Sequence, residues 1–227
     1  MNDVFYQDIF LYLLIIIIPL IAQINISINY RRYKNVKNNK GISGFEVARK
    51  ILDSNGLEDI YVVETSGELT DHYDPTRRVI KLSKDIFHGT SVAAISVAAH
   101  ECGHAIQDKD GYVFMRIRSF LVPLVNLVST FSWIVILIGM IAQLFNVFVL
   151  GIVLISVGLL FQIVTLPVEF DASKRGKELL RNLNIVEDEE STGVSKMLKS
   201  AAMTYVASVL TSVLEIIRLI IIFRSDD

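Results

Sequence analysis

Charge is missing from long stretches of this 227-residue chain. None lies between Ile9 and Tyr30 or between Ser119 and Val168, and from Ser200 to Phe223 only Glu215 and Arg218 interrupt an apolar run. A helix crosses the hydrocarbon core of a bilayer in about 20 residues, so the first stretch holds one span and the second has room for two. The third predicts a fourth. A purely soluble protein is excluded, in keeping with a mean hydropathy of +0.48. Cysteine is almost absent: Cys102 stands alone, which rules out an internal disulfide and suits a reducing compartment. Four prolines, with no repeat and no low-complexity tract, leave little room for disordered linkers. The formal net charge of −2 gives no sign of a polyanion partner, and no nucleic acid is expected.

The charges that are present sit at the ends of the apolar runs. "MNDVFYQD" before the first run carries Asp3 and Asp8 and no base, whereas "RRYKNVKNNK" after it carries Arg31, Arg32, Lys34, Lys37 and Lys40 and no acid. A cleavable signal peptide puts its positive charge first; here it comes second, so the run reads as an anchor. The positive-inside rule then predicts a multi-pass protein of the cell membrane with its N-terminus outside and residue 31 onward in the cytoplasm. Arg116 and Arg118, ahead of the next run, agree.

Between about Lys40 and Tyr112 the pattern predicts a small α+β unit. Ser43 and Glu46 form a capping box for a helix over "ISGFEVARKILDSNG", with Ile42 and Val47 as a hydrophobic staple and Gly56 as a stop. "DIYVVE" (Asp59–Glu64) and "RRVIKLS" (Arg77–Ser83) are β-branched runs separated by turn-rich "TSGELTDHYDPT", which predicts two strands. The second of these is expected to be an edge strand along which an extended peptide pairs. Further on, "AQLFN" (Ala142–Asn146) is the expected turn of a transmembrane hairpin. The mixed-charge segment from Glu169 is expected to be helical up to about Leu183.

The chemistry concentrates in "AAHECGHAIQ", where two of the four histidines fall within five residues. Residues four apart share a helix face, so His100 and His104 can occupy two tetrahedral positions of one Zn²⁺. Glu101 stands about 100° round the helix, within reach of a water beside the metal and suited to act as its general base. Gly103 and the alanines remove bulk. The bland alternative is an apolar helix with two histidines satisfied by core hydrogen bonds, but burying two imidazoles and a carboxylate unpaired costs several kcal/mol. A catalytic zinc takes three protein ligands and a water, and the third is expected to be a carboxylate after the hairpin: Glu169, Asp171 or Glu178. Glu169 is chosen because it directly follows the last uncharged residue, and Ala172 one turn on leaves room for close helix approach. A ligand beyond Val168 can meet His100 only if an even number of spans separates them, which two spans satisfy.

Taken together, "LTDHYDP", "SVAAISVAAHECGHAIQ" and "LPVEFDAS" resemble the bacterial neutral zinc metallopeptidase family of YugP-like membrane proteins, over most of the chain. There is a more distant similarity to the HtpX-like and CAAX-prenyl membrane endopeptidases, whose third ligand is a glutamate in an E-F-x-A-D pattern. Here that segment reads Glu169, Phe170, Asp171, Ala172, Ser173: the glutamate matches, and Ser173 stands where the pattern has an acid. The missing acid concerns the support of the ligands, a place that Asp171 or a water is free to fill. The resemblance implies a mainly α membrane protein with about four transmembrane helices and a small α+β, zincin-like (gluzincin-type) catalytic unit. The expected divisions are an anchor over 1–30, a catalytic unit over 31–118, a hairpin over 119–168, a third-ligand helix over 169–199 and a last membrane helix over 200–227. It implies a zinc endopeptidase acting on peptide or protein substrates, with one Zn²⁺ per chain, a lipid bilayer around it and no stated oligomeric state. The metal ligands would be His100, His104 and Glu169, and the catalytic residue Glu101.

Other residues carry less. Cys102 lies on the far side of the helix from the histidines and reads as a small core residue. His72 could line the cleft or be a turn histidine bonded to Asp71 or Asp74; His88 reads as structural. Glu215 and Arg218, three apart, read as an intrahelical ion pair near the membrane end, and nothing singles out Tyr205. Two other functions compete: a zinc-holding membrane scaffold without hydrolysis, which has no use for Glu101, and a transporter, which four spans without a repeat support weakly.

Overall fold

The computed structural model describes residues 2–225, with side chains from 5 to 223. Among the described residues, seven helices and three strands follow one another: α1 (Asn2–Lys34), α2 (Gly44–Ser54), β1 (Tyr61–Thr65), β2 (His72–Asp74), β3 (Val79–Ser83), α3 (Lys84–Phe87), α4 (Val92–Lys109), α5 (Val113–Ile141), α6 (Phe145–Asn182) and α7 (Asp188–Ser225). Helices α1, α5, α6 and α7 are each long and apolar enough to cross a membrane. Their large apolar side chains are turned outward, Phe10 and Ile21 on α1 and Leu127 on α5 among them. In a soluble protein such faces would be patches seeking a partner; on helices of this length they are the lipid-facing surface. The protein is a mainly α membrane protein. By contact the chain divides into two compact units, one of Met1–Gln23, Arg116–Leu166 and Thr204–Asp227, the other of Ile24–Met115 and Pro167–Met203.

In the first unit, α5 and α6 form the expected hairpin. The break falls after Ile141, where Gln143 turns left-handed (φ 53°) and the Leu144 amide closes on the Gly139 carbonyl. Glycine lets the two helices touch: a Cβ on Gly139 would meet the Phe148 backbone nitrogen at 2.5 Å. The ion pair expected between Glu215 and Arg218 is not the one formed. Arg218 on α7 donates through Nε to Asp8 Oδ1 on α1 at 2.7 Å, and its guanidinium lies over the Tyr12 ring. A carboxylate on a neighbouring helix outcompetes the one three residues away because it meets the planar guanidinium with two oxygens.

The second unit is built on α2 and α4. The capping box is formed: Ser43 Oγ accepts from the Glu46 amide at 3.2 Å, and Glu46 accepts from the Ser43 amide at 2.7 Å. Val47, Ala48, Ile51 and Leu52 bury one face of α2 in a core shared with Ile95, Ala98, Ala99 and Cys102 of α4. Each large aliphatic side chain buried this way contributes about 1.5–3 kcal/mol. Ser91 caps α4 by accepting from the Ala94 amide. The sheet has the order β1-β3-β2, with β1 parallel and β2 antiparallel to β3. The strand over "RRVIKLS" is therefore the middle of the sheet, not its edge. Its second neighbour, β2, lies inside the turn-rich segment and is three residues long, too short to announce itself by alternation.

Candidate metal centre

Two helices carry the site, α4 with His100, Glu101 and His104, and α6 with Glu169. They meet backbone to backbone. A Cβ on Gly103 would stand 2.5 Å from the Ala172 carbonyl oxygen, and one on Gly176 would stand 2.8 Å from the Ala99 carbonyl oxygen. Small residues at 99, 103, 172 and 176 thus set an approach that no larger side chain permits. This closeness lets the short arms of two histidines and one glutamate converge. His100 Nε2 lies 3.2 Å and His104 Nε2 3.5 Å from the same oxygen, Oε2 of Glu169. The three donor atoms lie within 4.8 Å of one another, and among the described residues they form the group that could hold a metal ion.

Their surroundings are polar but closed. His104 and Glu169 are buried and His100 is half-buried. The ring of His104 presents Nδ1 to Gln107 Oε1 at 3.0 Å. Gln107 has no exposed surface, and its Nε2 donates to the Val168 carbonyl and to Asp171 Oδ2, both at 2.8 Å. Arg175 Nε donates to the same Asp171 oxygen at 2.6 Å. The ring of His100 has Ser173 Oγ at 3.2 Å from Nδ1. The residue that departs from the acidic pattern therefore supplies a hydroxyl at the back of His100, and Asp171 stands behind Gln107.

Glu101 is buried beside these groups. Burial pushes its carboxyl up to about 7; the charges of Glu169 and Asp71 add to the rise, while His100 and the Tyr73 amide oppose it. A carboxyl that changes charge near neutrality suits a proton carrier. Asp71 sits close by, accepting from the amide of Ser83 at 2.7 Å and from its hydroxyl at 3.1 Å, and burial raises it too.

Other residues fall outside the group. Glu178 is exposed and faces Lys174 at 4.0 Å. Cys102 points into the core, its thiol donating to the Ala48 carbonyl and raised by burial. His72 is exposed on β2, its Nδ1 2.8 Å from the Thr70 carbonyl rather than hydrogen-bonded to the carboxylate of Asp71 or Asp74. His88 meets Glu64 at 2.7 Å. Tyr205 belongs to the first unit. Gln107 is the residue that sequence reasoning missed; the signal was an amide one turn after the second histidine on an apolar helix, where burial demands partners.

The family profile described as "Putative neutral zinc metallopeptidase" matches residues 8–224. The chain belongs to this family. It is also 44% identical over 202 residues to "Putative membrane protease YugP" of Bacillus subtilis (strain 168), covering 89% of this chain and 90% of that protein. No solved structure matches it. The family's description makes zinc the metal to test against the donor set. Zinc bonds of 2.0–2.1 Å to nitrogen and oxygen give a tetrahedron with edges of roughly 3.3–3.4 Å. Two of the three separations, 3.2 and 3.5 Å, match those edges, the third lies within 4.8 Å, and two imidazoles with a carboxylate are ligands zinc accepts. The residues fit the ion.

Proposed function

We propose that this protein is a membrane-bound zinc endopeptidase, with His100, His104 and Glu169 holding one Zn²⁺ per chain and Glu101 as general base. The observation that carries the reading is the convergence of both imidazole Nε2 atoms on one carboxylate oxygen, with a second buried carboxyl, Glu101, beside them and not spent on holding the group. Bound there, zinc supplies the Lewis acidity that polarises a water and a peptide carbonyl. Glu101 takes the proton from the attacking water and returns it to the departing amine. The closed, low-dielectric surroundings strengthen each of these charge interactions.

The substrate pairs along β2. This strand is an edge, its other side taken by β3, and the backbone amide of its central residue, Tyr73, is directed at the Glu101 carboxylate. A chain added there in extended form would run past the base, taking over the Tyr73 amide from Glu101 as it pairs. His72 then flanks the cleft.

The active site faces the cytoplasm, with residues 31–118 and 169–199 on that side and the N-terminus outside. The basic cluster from Arg31 to Lys40 supports this orientation, and two spans between His100 and Glu169 satisfy the parity both ligands require.

The deciding experiment compares wild type with Glu101→Gln, both purified in detergent, for zinc content and casein cleavage. Wild type should carry about one zinc per chain and cleave; the variant should carry the same zinc and not cleave. Zinc without cleavage in both would instead identify a scaffold, and no zinc in either would remove the metal reading altogether.

A further inference from the structure

We propose that Gln107 is a positioning residue that sets the tautomer of His104 and ties it to the segment bearing Glu169; the inference rests on the zinc reading above. A primary amide offers two N–H donors and one carbonyl acceptor. The Val168 carbonyl can only accept, and so can the Asp171 carboxylate, held as it is by Arg175. Both lie 2.8 Å from Nε2, which fixes the amide's orientation. Oε1 is then forced towards His104, 3.0 Å from Nδ1, and an oxygen there accepts only. The bond therefore requires a proton on Nδ1, which leaves Nε2, the nitrogen that faces Glu169, as the one open to a metal.

His100 has no equivalent lock. Ser173 Oγ at 3.2 Å can donate or accept, so it tolerates either tautomer. The definition of the site therefore rests on Gln107 more than on Ser173. Gln107 also reaches across the helix crossing: Val168 immediately precedes Glu169, so one side chain of α4 holds both His104 and the backbone beside the third donor. Every hydrogen-bonding group of this fully buried amide is used without any metal, so the lock is in place before an ion arrives.

The test uses the full chain in detergent and three proteins: wild type, Gln107→Leu, and Gln107→Glu combined with Asp171→Asn. The last swaps acceptor and donor across one contact, so position 107 still accepts from His104 and position 171 donates back, while the bond to the Val168 carbonyl is lost. Zinc affinity is measured by chelator competition. The His104 tautomer is read from ¹⁵N-histidine spectra of metal-free protein at a pH where the ring carries a single proton, its signal identified by its loss in His104→Ala. Gln107→Leu should bind zinc roughly 10- to 100-fold more weakly, the range for partners of metal-bound histidines, and its His104 should lose the pure Nδ1–H form. The double variant should keep the Nδ1–H form of wild type, while without the bond to the Val168 carbonyl its zinc affinity should fall between those of wild type and Gln107→Leu. If Gln107→Leu keeps wild-type affinity and tautomer, or if the double variant is as impaired as Gln107→Leu, the proposal is overturned. Should Gln107→Leu fail to fold, the double variant alone decides, retention of the Nδ1–H form supporting the role and its loss overturning it. Wild type that binds no zinc would overturn the zinc reading as well, whereas wild-type binding with an indifferent Gln107 would overturn this inference alone.

Discussion

At the scale of single residues, Glu101 in its proposed role as base would meet two opposed demands. A base must give up its proton near neutrality, yet a buried carboxylate is costly unless a positive charge compensates it. In the metal-free protein the cost shows as a carboxyl raised from 4.5 to about 7. A group raised in the folded state contributes stability that is fully present below its unfolded pKa and is lost as pH rises through the folded one. Chelator-treated Glu101→Gln should therefore melt above chelator-treated wild type at pH 8, and the gap should close as pH falls from 7 towards 4.5. Melting curves at several pH values check this, and a gap that widens towards acid would refute the burial argument. With zinc present the same substitution should lower the cleavage rate by roughly 10²–10⁴, the worth of a positioned base. The acids of α6 separate by the same logic. Glu169→Ala should abolish tight zinc binding and Asp171→Ala should weaken it through Gln107. Glu178→Ala should leave it intact, because that side chain is exposed and faces Lys174. Zinc titrations of the three variants rank them; a Glu178 effect as large as that of Glu169 would contradict the geometry.

At the scale of elements, what could be read in advance was whatever repeats locally. The four-residue spacing of His100 and His104 and the Ser43–Glu46 capping box are local patterns, and each is found where it was expected. The approach of Glu169 to the two histidines was legible for another reason, since span parity and the end of the uncharged run leave few carboxylates to choose from. What escaped depends on contacts between distant residues. Strand β2 is three residues long and exists because Tyr73 finds Ile80 on β3. Gln107 takes its meaning from Val168 and Asp171, more than 60 positions on. Arg218 passes over Glu215 for Asp8 at the other end of the chain. The helix crossing at the site gives a prediction at this scale. Gly103→Ala puts a methyl 2.5 Å from a backbone oxygen, which no side-chain rotation relieves, and should cost about 1–3 kcal/mol and weaken zinc binding with it. Gly158→Ala, on the same α6 but with nothing within 4 Å of the new Cβ, is the control that should leave both unchanged. Thermal melts and zinc affinity of the two variants check the pair.

At the scale of the whole molecule, the proposed metal site and the membrane constrain each other. His100 precedes α5 and Glu169 follows the apolar part of α6, so convergence of their side chains requires both to lie on one side of the bilayer. Two intervening spans allow that, and one would forbid it. Which side is a separate question, and the charges around α1 bear on it: two acids before the run, five bases after it. Single cysteines in a Cys102→Ala background test both points together. Glu58 and Asn182 are exposed, one before the α5–α6 hairpin and one at the end of α6, while Asn146 is exposed at the turn between the two helices. In sealed right-side-out vesicles, a membrane-impermeant maleimide should label Asn146→Cys at once, and Glu58→Cys and Asn182→Cys only after lysis. The reverse pattern would invert the orientation and leave the ligand geometry standing. Labelling that set Glu58→Cys apart from Asn182→Cys would do more damage, because two histidines and a glutamate on opposite faces of a bilayer cannot share one ion.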